Sequence, residues 1–283
     1  MIKISNFEFR APKERDSAPI PDLTKYFKVW LLMAKMNLAE QFSSRINFAT
    51  IISGKLVRMG FVFVFLIALF SHTKSLAGFS LTQTLLFFMT FNLVDILAQL
   101  FLRGIYWIRF LIIEGELDFV LAAPINPLFR IATRATDFWD LTTLIPTFAI
   151  LGLLITRLET ELTLLNLLLY FALVLVGFVI AFAIHVVVAS VAVYTQEVDN
   201  LIWIYRDLMT MGRFPVDIYA APVKFILTFI IPVAVMTSFP AKALIGVLSP
   251  QFIMLAFLIA GIFLWGSLRI WKFSLKYYTS ASS

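Results

Sequence analysis

The run "LLNLLLYFALVLVGFVIAFAIHVVVASVAVY", residues 164–194, decides the class of protein to which this chain belongs. None of its residues is Asp, Glu, Lys or Arg, and at about 1.5 Å of rise per residue a helix of this length extends for roughly 46 Å. A helix needs only about 20 apolar residues to cross the hydrocarbon core of a bilayer. The run therefore predicts a membrane-spanning helix that tilts strongly or projects beyond the bilayer.

The composition of the whole chain points the same way. Of its 283 residues, 61% are hydrophobic and 14% are charged, and the mean hydropathy is +0.92. A soluble domain carries about 25% charged residues. The chain contains no cysteine, which excludes disulfide bonds and thiol chemistry. We therefore predict an all-α integral membrane protein.

Five further apolar stretches complete a predicted six-helix transmembrane domain over 46–271. With the run at 164–194, the predicted spans are 48–70, 81–102, 135–155, 223–239 and 249–271. The polar, proline-containing segment before them is predicted to be a tail over 1–25, followed by an interfacial connecting helix over 26–45. A second short tail is expected over 272–283.

The distribution of basic residues orients the predicted bundle. Of the 23 Lys and Arg residues, only Lys74, Arg157 and Lys242 fall on the side of the membrane opposite to the termini. Cytoplasmic segments of membrane proteins carry the excess of basic residues. We therefore expect a multi-pass protein of the inner (plasma) membrane with both termini in the cytoplasm. Because the basic residues concentrate beside the spans, we expect them to contact anionic membrane lipid, and we expect no nucleic-acid partner.

The fifth span has two readings. Residues 199–214 show an amphipathic helical pattern, with polar and apolar side chains on opposite sides. The first reading lays this helix at the cytoplasmic interface and uses 223–239 as the span. The second reading makes 199–214 a lumen-lining fifth span and turns 216–240 into a re-entrant hairpin on the outside. Hydropathy favours the first reading.

Motifs for catalysis are missing from the sequence. It contains no G-x-x-x-x-G-K-[ST] loop to hold nucleotide phosphates and no G-x-S-x-G around a serine nucleophile. The only histidines, His72 and His185, are far apart, so no histidine-rich metal site is predicted. We expect a protein that moves or holds a substrate, with no catalytic residue, metal or cofactor in this chain.

Polar residues inside the predicted second span share one helical face. Asn92, Asp95, Gln99 and Arg103 follow one another at spacings of three, four and four residues. They either line a substrate path or form hydrogen bonds between helices. We favour interhelical hydrogen bonds for Asn92 and Gln99. Asp95 fits both readings equally, since an ionised carboxylate in a span needs a partner or water.

Charged residues also begin the predicted third span. Arg134, Asp137 and Asp140 follow at intervals of three residues. An ion pair between Arg134 and Asp137 along the helix is the simpler expectation. Carboxylates on the inward side would suit a cationic substrate. His185, in the fourth span, is expected to be a hydrogen-bonded packing residue rather than a proton relay.

The stretch "EGELDFVLAAPINPLF", residues 114–129, lies in the predicted cytoplasmic connection between spans two and three. It combines three carboxylates, Glu114, Glu116 and Asp118, with prolines at positions 124 and 127. The prolines are expected to end a short helix and redirect the chain into span three. From chemistry alone, the stretch is either a solvated loop with helix-capping acids or a contact for a partner.

This stretch resembles the sequence after the second span in permease subunits of ABC-2-type exporters, in the branch described as ABC-2 family transporter protein. The residues that carry the resemblance are Gly115, Leu117, Asp118, Leu121, Pro124 and Asn126. A second stretch, "GRFPVDIYAAPVKFILTFIIPVAVMTSFPAKALIG" at 212–246, looks like the arginine-aromatic-proline step and following apolar run of the same branch. The resemblance covers nearly the whole chain but identifies no substrate.

The resemblance implies one half of an exporter. Two such permeases pair, as identical copies or as related chains, and each docks a separate ABC ATPase subunit on which ATP and Mg²⁺ bind. The segment 104–127 would contain a coupling helix seated on that ATPase. The residues implied for docking are Glu114, Gly115, Glu116, Leu117, Asp118, Phe119 and Leu121. The substrate would be amphipathic, and the inward carboxylates allow a cationic, drug-like molecule.

Two other functions stay open. An ion-coupled secondary transporter would depend on Asp95 or His185 and would work without an ATPase. A membrane assembly subunit would form a stable complex and transport nothing. The polar residues that would line a path or join helices are Asn92, Asp95, Gln99, Asp137, Asp140 and His185.

Overall fold

The computed structural model describes residues 23–42, 45–160, 162–195 and 199–278. Within these ranges the chain forms helices and connecting turns, with one isolated β-bridge between Leu76 and Phe79. This confirms the predicted all-α class. The predicted tail over 1–25 lies outside the described residues except at its end, and the predicted tail over 272–283 begins as the last turns of the final helix.

The described part of the chain contains twelve α-helices. Their bounds are α1 (Leu23–Gln41), α2 (Arg45–His72), α3 (Leu81–Leu102), α4 (Ile108–Ile113), α5 (Glu116–Ala122), α6 (Pro127–Thr133), α7 (Phe138–Thr156), α8 (Leu164–Thr195), α9 (Asp199–Thr210), α10 (Ala221–Phe225), α11 (Phe239–Leu244) and α12 (Pro250–Lys276). A 3₁₀ segment joins α3 to α4 in one 33-residue apolar run, Leu81–Ile113. This run, together with α2, α7, α8 and α12, is long and apolar enough to cross a membrane.

Capping residues fix where α6 and α7 begin. The Asn126 side chain accepts a hydrogen bond from the backbone N–H of Phe129, and Pro127 occupies the first turn of α6. The Asp137 side chain accepts a hydrogen bond from the N–H of Trp139 at the start of α7. The prolines therefore lead the chain into α6, which the sequence analysis did not include, before the third span begins.

The helical bundle has two ends, which we name by what they carry. At the α5 end, the last turns of α8 and α12 lie together, with the rings of Tyr194 and Tyr277 6.0 Å apart. At the loop end, Gly246 lies beside Asn166, close to the start of α8. The helices α8 and α12 are therefore parallel to each other.

The helix α9 crosses the bundle from the α5 end toward the loop end. Its contacts with the α3–α4 run are Trp203 with Tyr106 (ring centres 5.9 Å apart), Arg206 with Asp95 (Nη1 to Oδ1, 3.5 Å) and Arg213 with Phe91 (guanidinium to ring centre, 5.5 Å). Later residues of α9 and its 3₁₀ extension contact earlier residues of the α3–α4 run. The two segments are therefore antiparallel, and these contacts extend over roughly 22 Å.

Beyond α9 the chain reaches the loop end. The carboxylate of Asp217 binds Lys224 and Lys242 there. Lys242 also lies 6.0 Å from the centre of the Phe79 ring, just before α3. Burial alone would raise the pKa of Asp217, but the two lysines outweigh burial and lower that pKa below its usual value.

The segment between these lysines enters the bundle and leaves it on the same side. The helical runs Ala221–Ile230 and Ala234–Leu244 are bent by 82° relative to each other. Between its two ends, the hairpin packs against α8 so closely that a Cβ at Gly177 would lie 2.7 Å from the carbonyl oxygen of Met236. This is a re-entrant hairpin, which we call the loop-end hairpin.

The predicted fifth span at 223–239 is therefore wrong, and the second reading of the sequence is the one that the structure has. Hydropathy did not select α9 as a span because the helix contains polar residues. Inside the bundle, however, Arg206 of α9 forms an ion pair with Asp95. Pro232 also lacks the N–H that an unbroken helix through 223–239 would use. Five segments of the described chain are long and apolar enough to cross a membrane, and α9 crosses the bundle between the fourth and the last of them.

Single-cysteine labelling tests this topology, because the chain has no native cysteine. We expect Ile218→Cys to react from the same side of the membrane as Val247→Cys, since both positions are exposed at the loop end. Phe119→Cys, at the exposed opposite end, should react from the other side. The measurement is labelling of sealed vesicles with a membrane-impermeant maleimide. Labelling of Ile218→Cys from the side of Phe119→Cys would contradict the crossing of α9.

Candidate functional site

Gly115 separates α4 from α5. Its φ of +71° is a left-handed conformation, which glycine adopts without a steric penalty. The N–H groups of Glu114 and Gly115 donate to the carbonyls of Phe110 and Ile112 and so close the last turn of α4. The turn lets a separate short helix, α5, begin at Glu116 at the end of the bundle.

Two of the three carboxylates in this stretch have partners within the chain. Glu116 accepts a hydrogen bond from Arg134 at 2.6 Å (Nη1 to Oε2). Asp118 lies beside Tyr278, whose pKa is raised to about 12 by burial and then by the charge of this carboxylate. Glu114 is exposed and forms no ion pair with any other residue that the structure describes.

The apolar side chains of α5 divide between the core and the exterior. Phe119 is 75% exposed, whereas Leu117 is 0% exposed and Leu121 is partly buried. The side chain of Leu117, which the resemblance implied for docking, therefore packs inside the chain and holds α5 on the bundle. Arg130 donates to the backbone carbonyl of Phe119 at 3.2 Å and ties α5 to α6.

The helix α1 is fastened along the connection from α5 to α7. Its hydrogen bonds are Lys25 Nζ to the Pro124 carbonyl (2.9 Å), Asn37 Nδ2 to the Arg134 carbonyl (2.8 Å), Gln41 Nε2 to the Thr136 carbonyl (2.8 Å) and the Phe138 N–H to Gln41 Oε1 (3.1 Å). Most of these bonds reach backbone groups, so α1 holds the main chain of the connection. The helix α1 (Leu23–Gln41) covers most of the stretch 26–45 for which a connecting helix was predicted, and its placement at the membrane interface stays a prediction.

The helix α6 rests on the α3–α4 run at Gly104. A Cβ at this position would lie 2.0 Å from the carbonyl oxygen of Ile131 and 2.8 Å from that of Ala132. No other residue type fits here, because the obstructing atoms belong to the backbone of α6. The helices α5 and α6 and the turn between them (residues 116–133) overlap the stretch 104–127 in which the resemblance implied a coupling helix, and we call them the coupling segment after that expectation.

A cavity of about 590 Å³ opens at the α5 end between α1, α2, α4 and the start of α7. Its lining mixes aromatic rings with charged groups, among them Trp107, Phe110, Trp139, Arg103, Glu114 and Asp137. A cavity with both kinds of lining suits an amphipathic molecule better than a purely polar ion.

Lys55 of α2 binds both carboxylates at the start of α7. Its Nζ lies 2.7 Å from Asp140 Oδ1 and 3.7 Å from Asp137 Oδ1, and all three side chains are less than a fifth exposed. The predicted pair of Arg134 with Asp137 does not form. Asp137 instead caps α7 and faces α2. Arg134 comes before the first residue of α7 and binds Glu116.

Asp95 of α3 is paired with Arg206 of α9. Besides this 3.5 Å ion pair, Arg206 Nη1 lies 3.2 Å from the hydroxyl oxygen of Tyr106. The partner that an ionised Asp95 requires is therefore supplied by the fifth crossing. The pair joins α3 to α9 at a depth where neither charge is more than a quarter exposed.

Asn92 and Gln99 bond within their own helical run and not between helices, contrary to the expectation. Asn92 donates to the carbonyl of Phe88 at 2.8 Å. Gln99 donates to the Tyr106 hydroxyl at 3.0 Å and accepts from Arg103 at 3.0 Å. Their role between helices is indirect, through the contact of Tyr106 with α9.

His185 is fully buried on α8. Its Nδ1 is 2.7 Å from the carbonyl of Ala181, so this nitrogen carries the proton, and its ring lies 5.1 Å from that of Tyr205. Nε2 has no hydrogen-bond partner within the described residues. The arrangement agrees with a packing residue held by one hydrogen bond. No group of His, Asp and Glu within the described residues is arranged to hold a metal ion.

Three functional candidates were missed by the sequence analysis: Lys55, Arg58 and Arg213. Lys55 and Arg58 lie three residues apart within the first span, and they were counted only as part of the basic flank. Two basic residues three positions apart within a predicted span were the signal that would have identified them. Arg213 was noted only in the amphipathic pattern of 199–214 and in the arginine-aromatic-proline step, without a role inside the bundle.

Comparison with known proteins gives one family. A family model described as "ABC-2 family transporter protein" matches residues 56–282. No curated protein and no solved structure shows significant similarity to the chain.

Proposed function

The chain belongs to the ABC-2 family of transporter proteins, and from this premise we propose that it is the membrane-spanning half of an ATP-driven exporter that docks its ATPase through the coupling segment. Membership of this family implies a membrane permease that works with an ABC ATPase. The proposal adds the direction of transport, the docking residues and the placement of the α5 end in the cytoplasm.

The observation that carries the proposal is the exposed side chain of Phe119 on α5. The helix α5 is held at the end of the bundle by the buried Leu117, by the bond of Arg130 to its backbone and by the pair of Glu116 with Arg134. An aromatic side chain that projects from a rigid support is the kind of residue that anchors an interface. Glu114, exposed just before α5, supplies a charge for a basic group of the ATPase.

Force delivered to α5 would reach the spans by two routes. The first is α6, which contacts the α3–α4 run at Gly104. The second is α1, which is bonded along the connection to α7 and leads into α2. ATP can drive transport only if it binds more tightly to one of two arrangements of the bundle. We propose that two copies, or this chain and a related one, change between these arrangements together.

The substrate path begins in the 590 Å³ cavity at the α5 end. Lys55, with its two carboxylate partners, lies between this cavity and a narrower cleft deeper in the bundle. The mixed aromatic and charged lining supports an amphipathic substrate, and no covalent step takes place in this chain.

Truncating Phe119 tests the docking surface. We expect Phe119→Ala to weaken binding of the ATPase subunit about 30-fold, since loss of an anchor residue costs about 2 kcal/mol. Glu114→Lys should weaken it further at low salt. The measurement is the affinity of the detergent-solubilised chain for the ATPase that co-purifies with it.

Phe61→Ala is the matched control, because Phe61 is 71% exposed on α2, away from the coupling segment. It should leave the affinity unchanged. Glu116 and Asp118 are poorer positions for a charge reversal, since both have partners inside the chain. Unchanged ATPase affinity in both Phe119→Ala and Glu114→Lys would remove the docking assignment, and the absence of any co-purifying ATPase would remove the proposed function.

A further inference from the structure

A second, narrower site lies within the bundle, in the cleft between α2, α3, α7 and the crossing formed by α9. Charged side chains and apolar side chains share its walls. Its lining includes Lys55, Arg58, Asp95, Asp140 and Arg213, together with Met59, Val62, Phe88, Phe91 and Asn92.

The charges around this cleft do not balance. Each carboxylate already has a basic partner: Asp140 and Asp137 bind Lys55, and Asp95 binds Arg206. Because Lys55 is shared by two carboxylates, the four basic groups exceed the three carboxylates by one positive charge, and Arg58 and Arg213 have no carboxylate partner of their own among the described residues. Neither forms an ion pair with a carboxylate within the described part of the chain, and Arg213 instead lies over the ring of Phe91. Both side chains line the same narrow cleft.

Both arginines lie far from the ends of the spans. Arg58 is nine residues beyond Ala49, where the apolar run of α2 begins, a rise of about 14 Å. Arg213 contacts Phe91, ten residues beyond the start of α3, a rise of about 15 Å. Cations at such depth are costly and mark a functional site unless a counter-charge is supplied.

We infer that this cleft binds the anionic headgroup of an amphiphile between Arg58 and Arg213, with the apolar tail against Val62, Phe88 and Phe91. This inference rests on the proposed function and names the substrate class of the exporter. Guanidinium groups bind phosphate, sulfate or carboxylate oxygens through paired, charge-assisted hydrogen bonds. The anionic headgroup would supply the counter-charge that the two guanidinium groups lack.

The same charge balance argues against a cationic substrate. The inward carboxylates that suggested a cation are Asp95, Asp137 and Asp140, and all three are occupied by Lys55 or Arg206. A cation would have to displace these partners and approach two further positive charges. Repulsion between like charges makes that arrangement unfavourable.

In this conformation the cleft is closed. It contains about 20 Å³ of free volume, enough for one water molecule. The wall best able to move is α2, because only 6% of its apolar span is buried against the rest of the chain, compared with 72% for the α3–α4 run. Displacement of α2 would widen the cleft while Arg213 stayed on the α9 side.

The test compares two amphiphiles with the same tail. The purified full-length chain, in nanodiscs of zwitterionic lipid and without any ATPase, is titrated with dodecyl phosphate and with dodecyltrimethylammonium, and Trp fluorescence reports binding. We expect dodecyl phosphate to bind at least about tenfold more tightly, and Arg58→Gln or Arg213→Gln to weaken it about tenfold. Inorganic phosphate should bind far more weakly than dodecyl phosphate, because it has no tail.

Arg269→Gln is the matched control, since Arg269 lies 5.4 Å from the Trp265 ring on α12 and does not line the cleft. It should leave binding unchanged. Arg58 is exposed on α2, so Arg58→Gln is expected to fold even if Arg213→Gln does not. Equal or tighter binding of the cation, unchanged binding in Arg58→Gln, or equal binding of inorganic phosphate would each overturn the inference. Binding as expected, with no ATP-dependent movement once the ATPase is added, would contradict only the proposed function.

Discussion

Gly104→Ala is expected to lower ATP-driven transport at least about tenfold and to lower the thermal stability of the chain. The added Cβ would lie 2.0 Å from the carbonyl oxygen of Ile131, well inside van der Waals contact. Overpacking of a core costs about 1–3 kcal/mol, and the upper end applies because backbone atoms cannot rotate away as a side chain can. A loss of about 3 kcal/mol corresponds to a fall in Tm of roughly 5–10 °C for a chain of this size.

The effect on transport follows from where the collision occurs. Since α6 must move away from the α3–α4 run, the coupling segment would be displaced from the spans that it contacts. ATPase binding through Phe119 should survive, because that side chain is exposed and lies outside the contact. The measurements are thermal unfolding by intrinsic fluorescence, ATPase affinity, and ATP-dependent transport in vesicles, of which the last should fall at least about tenfold.

Gly152→Ala provides the control within a span. Nothing lies within 4 Å of the position that its Cβ would occupy on α7. Alanine is favoured over glycine inside a helix by about 1 kcal/mol, so this variant should be as stable as the wild type or slightly more stable. A Gly104→Ala protein that transports normally would show that α6 does not transmit movement to the α3–α4 run.

Sequence reasoning succeeded where one physical signal dominates. The run at 164–194 became α8, and the apolar stretches at 81–102 and 249–271 became α3 and α12 with small changes at their ends. A long apolar segment has only one way to satisfy its backbone in lipid, so length and hydropathy suffice. The prolines were also correctly predicted to follow the end of a short helix, α5, whereas α4 and α6 were not predicted.

It failed where two signals compete. The segment 223–239 is apolar enough to span, but it forms the loop-end hairpin, and the polar α9 crosses instead. Hydropathy counts Arg206 as a penalty, whereas in the bundle Asp95 supplies its counter-charge at 3.5 Å. The partner lies more than a hundred residues away in sequence, so no local window could detect it.

The prediction of the ion pairs around Asp137 was wrong for the same reason. Spacing along the helix predicted an ion pair between Arg134 and Asp137. In the structure, Asp137 pairs with Lys55 and Arg134 pairs with Glu116, and both contacts are tertiary. The acidic patch of 114–118 was singled out from the sequence, and its role in docking stays a prediction. Which of its members face outward depended on the packing of α5, which leaves Glu114 exposed and engages Glu116.

We expect uphill transport to depend on the ATPase and not on an ion gradient. An ion-coupled carrier would need a titratable group free to exchange its ion during transport. Asp95 is paired with Arg206, and His185 is fully buried with one hydrogen bond to its own helix. The sequence also contains no nucleotide-binding loop of the Walker type. We therefore expect no uphill transport by the chain alone, under an imposed proton or sodium gradient.

Reconstitution in sealed vesicles tests this directly. The purified chain is inserted with and without the ATPase that binds the coupling segment, and accumulation of fluorescent anionic and cationic amphiphiles is followed against their gradients. Accumulation should appear only when the ATPase and ATP are both present, and it should be lost when Phe119→Ala prevents docking. Uphill accumulation by the chain alone, driven by an ion gradient, would contradict the account.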